Sequence, residues 1–270
     1  MSARKLACII GWPVAESLSP AIHNATFEAL GLDWTYVPLA VRPGAIDEGM
    51  TLLRELDVQG ANVTMPHKQS IVPYLERLVG DAETLQAVNT VVRDGGAFVG
   101  HNTDGPGFLA AIDEEAGFDP KGKRALVLGA GGAARAVAVA LAKAGAAVVV
   151  AARRPEQATE VAALVGGIDT APWGVTSQAE LIVNATPSRD GLPLEAVGFA
   201  PGMLAVDLIY LPPSTGFVLA ARAAGATALD GLGMLVHQAA LSFRLWTGVE
   251  PPLQVMKEAA LAARGGSDLG

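Results

Sequence analysis

An ammonium, a carboxylate and several small polar side chains stand at the ends of short apolar runs in this chain, where they could bind a polar molecule and move a proton. Asn62-Val-Thr64-Met-Pro66-His-Lys68 closes one such run. Asn62 and Thr64 share a face by the period-two alternation of a strand. Pro66 reads as the first residue of a helix, so Lys68 is expected in the first helical turn. A cation is disfavoured there, and the positive helix end eases loss of a proton. Lys68 is therefore a candidate general acid–base; a solvent-facing lysine is the plainer reading. Ala87-Val-Asn89-Thr90 and Gly100-His-Asn-Thr103-Asp104 bring more amides, hydroxyls and a carboxylate to strand ends. Asp104 reads equally as a catalytic carboxylate or a helix N-cap. Gly11-Trp-Pro13-Val-Ala-Glu-Ser17-Leu-Ser19-Pro20 sets two hydroxyls between a strand and a helix. A capping role would account for Ser19 but not for Ser17.

A second kind of chemistry lies in Ala125-Leu-Val-Leu-Gly129-Ala130-Gly131-Gly132-Ala133-Ala-Arg135. The glycines follow a strand-like run and open a helix-like one. That context lets the backbone approach a pyrophosphate held by the helix N-terminus. An NAD site would place Asp or Glu about 20 residues further on to hold the ribose 2′-hydroxyl. This chain instead reads Val150-Ala-Ala-Arg153-Arg154, with no carboxylate before Glu156. Two guanidiniums at a strand end suit a 2′-phosphate, so NADP is the expected cofactor. The plainer reading is a solvated loop.

The elements that must carry these residues alternate along the whole chain, the signal of an α/β protein. Strands are predicted over 6–10, 35–41, 61–65, 88–93 and 97–101, with Asp94-Gly95-Gly96 as a hairpin turn. Helices are predicted over 20–30 and 43–55, each opening on a proline. A second series runs strand 125–128, helix 133–144, strand 146–151, then strands 181–184 and 204–208. A helix over 232–246 and another after Pro252 complete it. Met234, Gln238, Leu241 and Leu245 fall on one face of the penultimate helix. Gln238 there must face a cavity or bond a backbone carbonyl. Two α/β domains are expected: residues 1–104 completed by helices in 233–270, and residues 105–232, facing each other across a cleft. The seam is expected in a helix near Asp104–Asp113.

An apolar fraction of 51% is enough for both cores, and a formal charge of −8 argues against nucleic acid or an anionic membrane as partner. The single cysteine, Cys8, excludes an intrachain disulfide and reads as a buried thiol. With the four histidines it shows no metal-ligand spacing, so no metal is expected. The opening residues hold too short an apolar run for a secretory signal, and the run over 125–152 is too interrupted to span a membrane. A cytoplasmic protein is expected.

The stretches GWPVAESLSPAIHN, NVTMPHK, AVNT, GHNTDGPG, GAGGAAR, NATP, DLIY and GLGMLVHQAALSFRLWTG, in this order from Gly11 to about Gly248, closely resemble the shikimate dehydrogenase family. The resemblance implies an N-terminal substrate-binding domain and a Rossmann-like NADP-binding domain. It implies an oxidoreductase acting on a CH–OH group, which reduces 3-dehydroshikimate to shikimate reversibly in aromatic amino acid biosynthesis. By the resemblance Lys68 is the catalytic acid–base, and Asp104 is its partner, binding substrate and orienting the lysine. Ser17 and Ser19 bind the substrate carboxylate. Thr64, Asn89 and Asp104 hold ring hydroxyls, and Tyr210 and Gln238 close the other side. Gly129, Ala130, Gly131, Gly132 and Ala133 hold the pyrophosphate, Arg153 and Arg154 the 2′-phosphate, and Gly231 and Met234 flank the nicotinamide. The chain departs from the family at Ala152-Arg153-Arg154, where Asn-Arg-Thr is frequent, and at Leu208, where methionine is common. Three readings compete: a quinate/shikimate dehydrogenase using NAD, a sensor of shikimate or NADP without catalysis, and a structural α/β protein, which leaves the polar strand ends unaccounted for. The partner implied is a small molecule; a homodimer is compatible with the sequence.

Overall fold

Aliphatic and β-branched runs become strands wherever both faces can be buried. The computed structural model describes residues 4–174, 178–187 and 198–266. They form two compact units. One takes the chain up to Thr103 and again from Leu235, and the other is Asp104–Met234.

In the first unit β1 (Lys5–Gly11) is buried without a break from Ala7 onward, as a central parallel strand must be. After α1 (Ser19–Ala29), β2 (Trp34–Ala40) pairs with it in parallel. After α2 (Ile46–Glu55), β3 (Val58–Val63) pairs in parallel on its other side. Then come β4 (Arg77–Leu78), α3 (Asp81–Leu85), β5 (Thr90–Asp94) and β6 (Ala97–His101), giving the sheet order β2-β1-β3-β5-β6-β4. β5 runs antiparallel to β3 and β6. The β5–β6 turn is Gly95-Gly96, with φ +57° and +94°, the positive pair that a two-residue hairpin needs. One core of this unit joins Cys8, Ile10, Met50, Leu53, Val63, Val91 and Phe98.

In the second unit α4 (Asp104–Ala116) leads to β7 (Arg124–Leu128), α5 (Gly132–Lys143), β8 (Ala147–Ala151), α6 (Pro155–Ala162) and β9 (Ile168–Ala171). β10 (Leu181–Asn184), β11 (Leu204–Asp207), α7 (Gly216–Ala223) and β12 (Thr227–Leu229) follow. All six strands are parallel, in the order β12-β11-β10-β7-β8-β9. This is the doubly wound order of a Rossmann fold, with the reversal between β7 and β10. The chain then enters α8 (Leu232–Thr247) and α9 (Leu253–Gly266), the latter packed on α1. No described helix is long and apolar enough to cross a membrane.

Three local expectations fail. Pro43 does not open α2, which starts at Ile46; Gly44 with φ +85° turns the chain first. No α-helix starts at Pro66: residues 65–71 form turns, followed by a 3₁₀ turn at Val72–Tyr74. The α8 stripe holds at Met234 and Gln238, which are buried, but fails at its end: Leu245 is 39% exposed, while Ser242 and Phe243 are buried.

His23 shows what that face costs. Its ring has no exposed surface and stacks on Tyr36 at 4.5 Å and Phe243 at 6.3 Å, with Trp246 at 5.0 Å. Neither ring nitrogen makes a well-formed hydrogen bond among the described residues, and burial lowers its pKa from 6.5 to about 3, against the pull of the Asn62 side chain. The folded state therefore keeps His23 neutral while the unfolded chain takes up a proton below pH 6.5. Stability from this group is present above that pH and falls by roughly 1.4 kcal/mol per pH unit on acidification. Urea unfolding should show wild type losing about 3 kcal/mol more than His23→Phe between neutrality and about pH 4. Equal losses would place the proton elsewhere.

Candidate active site

The polar residues of the first unit gather at one end of its sheet. Val63 N donates to Asn89 O at 2.8 Å and Asn89 N to His101 O at 3.2 Å, which joins the end of β3, the start of β5 and the end of β6. Thr64 N donates to Ile10 O and Trp12 N to Met65 O, both at 2.9 Å, bringing the loop after β1 alongside. Val88 N donates to Lys68 O at 2.7 Å, which hangs the Lys68 turn beside Asn89. The buried His67 ring fixes that turn through Nε2 and Val41 O at 2.7 Å. Thr64 and Lys68 are half-buried. Because Lys68 lies in a turn, the helix-end argument for its proton does not hold; its placement beside Asn89 is what remains.

Ser19 is the first residue of α1 and buried, and the N-cap is Leu18, with no side-chain cap. Capping therefore does not account for Ser19. The half-buried Ser17 accepts from Ser19 N through Oγ at 3.3 Å. Asn89 is buried; its Nδ2 donates to Thr103 Oγ1 at 2.9 Å and to Gln238 Oε1 at 3.2 Å. Gln238 therefore meets Asn89, while its Nε2 satisfies Leu235 O at 2.8 Å.

The second unit builds a different surface. Gly129 ends β7 with φ +116°, and a Cβ there would lie 2.9 Å from Ala185 O. Its N donates to Ala151 O, and Ala185 N donates to Leu128 O, both at 2.8 Å. The turn thus sits where the strand order reverses, the place a dinucleotide occupies in such sheets. Gly131 caps α5 in an extended conformation with no side-chain cap. The N–H groups of Gly132 and Ala133 begin that helix, so they suit a pyrophosphate. Arg153 and Arg154 are exposed just beyond β8, with Arg154 as N-cap of α6. Arg135, in the same motif, is instead ion-paired with Glu160 at 2.6 Å. The donors and the cationic pair fit an NADP-like anion.

Asp207, at the end of β11, is fully buried. It accepts from Asn184 Nδ2 at 2.9 Å, from Ile209 N at 3.1 Å and from Thr215 Oγ1. Burial raises its carboxyl above the usual range, against the pull of those hydrogen bonds. It ties β10 and the start of α7 to the segment carrying the half-buried Tyr210. Gly231 packs on the same segment: its N donates to Ile209 O at 3.1 Å, and a Cβ would lie 2.3 Å from Leu208 O. Met234 is buried, and Asp104 is buried as the first residue of α4. Sequence reasoning missed Asp207 and Asn184; the signal available was a carboxylate and an amide closing otherwise apolar runs.

This fold and site define an α/β protein with a Rossmann-like unit and a second unit rich in hydroxyl and amide side chains. Known proteins specify it further. The family model of the shikimate dehydrogenase substrate binding domain matches residues 9–91, and that of the shikimate 5′-dehydrogenase C-terminal domain matches residues 231–261. Shikimate dehydrogenase (NADP(+)) of Moorella thermoacetica is 45% identical, with 98% of this chain and 95% of that one covered. The structure of shikimate 5-dehydrogenase from Thermus thermophilus in complex with NADP(H) and shikimate is 40% identical, with a TM-score of 0.88 over 96% of this chain and 99% of that one. Quinate dehydrogenase from Corynebacterium glutamicum in complex with NAD is 31% identical, with a TM-score of 0.85 over 96% of this chain and 99% of that one. The chain belongs to the shikimate dehydrogenase family.

Proposed function

We propose that the chain catalyses the reversible, NADP-dependent reduction of 3-dehydroshikimate to shikimate, as a cytoplasmic step of aromatic amino acid biosynthesis, a role with which a homodimer is compatible. The carrying observation is the Lys68 turn bonded beside Asn89 at the strand ends of the first unit. NADP, when bound, supplies the hydride and takes it back. Gly129 to Ala133 hold its pyrophosphate, Arg153 and Arg154 its 2′-phosphate, and Gly231 and Met234 border its nicotinamide. Ser17 and Ser19 donate to the substrate carboxylate. Thr64, Asn89, Tyr210 and Gln238 hold ring hydroxyls with groups that both donate and accept, and the Asp104 carboxylate accepts from one. Lys68 gives a proton to the oxygen that gains charge during reduction and removes it in the reverse direction.

Incubation with shikimate and NADP+ should yield 3-dehydroshikimate and NADPH in equal amounts. NADPH without 3-dehydroshikimate, or neither product, would overturn the reading.

A further inference from the structure

Three hydroxyls meet out of contact with water between β5, the segment after β6, and α8. Thr90 Oγ1 and Ser242 Oγ are 2.7 Å apart, and each is 3.3 Å from Thr103 Oγ1. Thr90 and Ser242 have no exposed surface, and Thr103 has 4%. Burying hydroxyls is costly unless they are bonded, and an apolar core has no need of three.

Their proton inventory shows what the triangle orients. Three hydroxyls bring three protons. The outside acceptors are Asn89 Oδ1, at 3.0 Å from Thr90 Oγ1 and 3.3 Å from Thr103 Oγ1, and Gln238 O, at 2.9 Å from Ser242 Oγ and 3.1 Å from Thr103 Oγ1. Two amides donate inward: Asn62 Nδ2 to Ser242 Oγ at 3.0 Å, and Asn89 Nδ2 to Thr103 Oγ1 at 2.9 Å. Tyr36 holds the far side of Asn62, its hydroxyl donating to Oδ1 at 2.7 Å. Asn89 is thereby fixed in one sense. Its Oδ1 takes Thr103 N at 2.8 Å and the Thr90 hydroxyl, and its Nδ2 is left for Thr103 and Gln238.

We propose that Thr90, backed by Ser242, is a positioning residue that helps Thr103 N lock the amide sense of Asn89 and, through the bond from Asn89 Nδ2 to Gln238 Oε1, that of Gln238, so that a polyhydroxylated ring meets this amide pair in one fixed arrangement. The proposal rests on the reading of Asn89 and Gln238 as substrate-binding residues. An unlocked amide can turn over and still bond some hydroxyl, so the lock governs ring recognition rather than hydride or proton transfer.

Thr90→Val keeps the shape and removes one corner, Thr90→Ser restores the hydroxyl, and Ser242→Ala removes a second corner should Thr90→Val fail to fold. Thr90→Val and Ser242→Ala should each raise KM for shikimate about tenfold, the worth of one buried hydrogen bond. In both, kcat should stay within about twofold and KM for NADP should not move; Thr90→Ser should match wild type. A general packing defect would instead lower kcat or move both KM values. Wild-type KM in the folded hydroxyl-less variants, or a Thr90→Ser variant as impaired as Thr90→Val, overturns the lock. If wild type does not turn over shikimate, the substrate reading fails, and the lock is decided by side-chain amide exchange in NMR spectra. Asn89 and Gln238 amide protons should exchange slowly in wild type and Thr90→Ser and quickly in Thr90→Val; equal rates in all three overturn it.

Discussion

Lys68→Ala should lower kcat with shikimate by about 10²–10⁴-fold, the usual worth of a positioned acid–base, with KM for NADP unchanged. The argument is one of place. Lys68 O accepts from Val88 N, so the turn that carries Lys68 is pinned one residue from Asn89, and the buried His67 ring anchors the same turn to Val41 O. A lysine in such a turn can reach toward a ring held, as proposed above, by Asn89 and Gln238. Lys68→Arg should not rescue turnover, because a guanidinium does not give up its proton in a protein. Steady-state rates in both directions check this. A variant with wild-type kcat removes Lys68 from proton transfer, and a variant with raised KM alone makes it a binding group only.

Arg153→Ala should raise KM for NADP by about 10–100-fold, as expected for a charge-assisted bond to phosphate worth roughly 1.5–3 kcal/mol, and leave KM for NAD nearly unchanged. Arg153 follows β8, whose last residue Ala151 accepts from the N–H of Gly129 in the glycine turn. One hydrogen bond thus links the arginine-bearing strand end to the glycine turn. Arg153 is exposed, so the effect should shrink as salt is added. An equal rise in both KM values would sink the 2′-phosphate assignment.

Much of this was legible in the residues. The β10 strand and the β5–β6 hairpin declared themselves through uninterrupted apolar runs and a double glycine, and the glycine turn through the strand before it and the helix after it. Short edge elements did not. β12 has three residues and β4 two, and such segments become strands because a sheet edge accepts them, not because their own pattern requires it. The Pro66 turn misled because proline favours a helix start locally, whereas His67 is tethered to Val41, 26 residues earlier. The drift of the α8 stripe at its C-terminal end was hidden for the same reason. Hydrophobicity alone turned Leu245 inward, but Gln238 and Ser242 are satisfied by Asn89 and Thr90, about 150 residues away in sequence. Polar side chains with distant partners are invisible to any local count.

The central claim is tested most directly by initial rates with shikimate and with quinate, each with NADP and with NAD, followed through the absorbance of the reduced nicotinamide. The account predicts fast turnover with shikimate and NADP and slow or no turnover in the other three combinations. Preference for quinate and NAD would contradict it, moving the chain beside the Corynebacterium glutamicum enzyme and stripping Arg153 and Arg154 of their role.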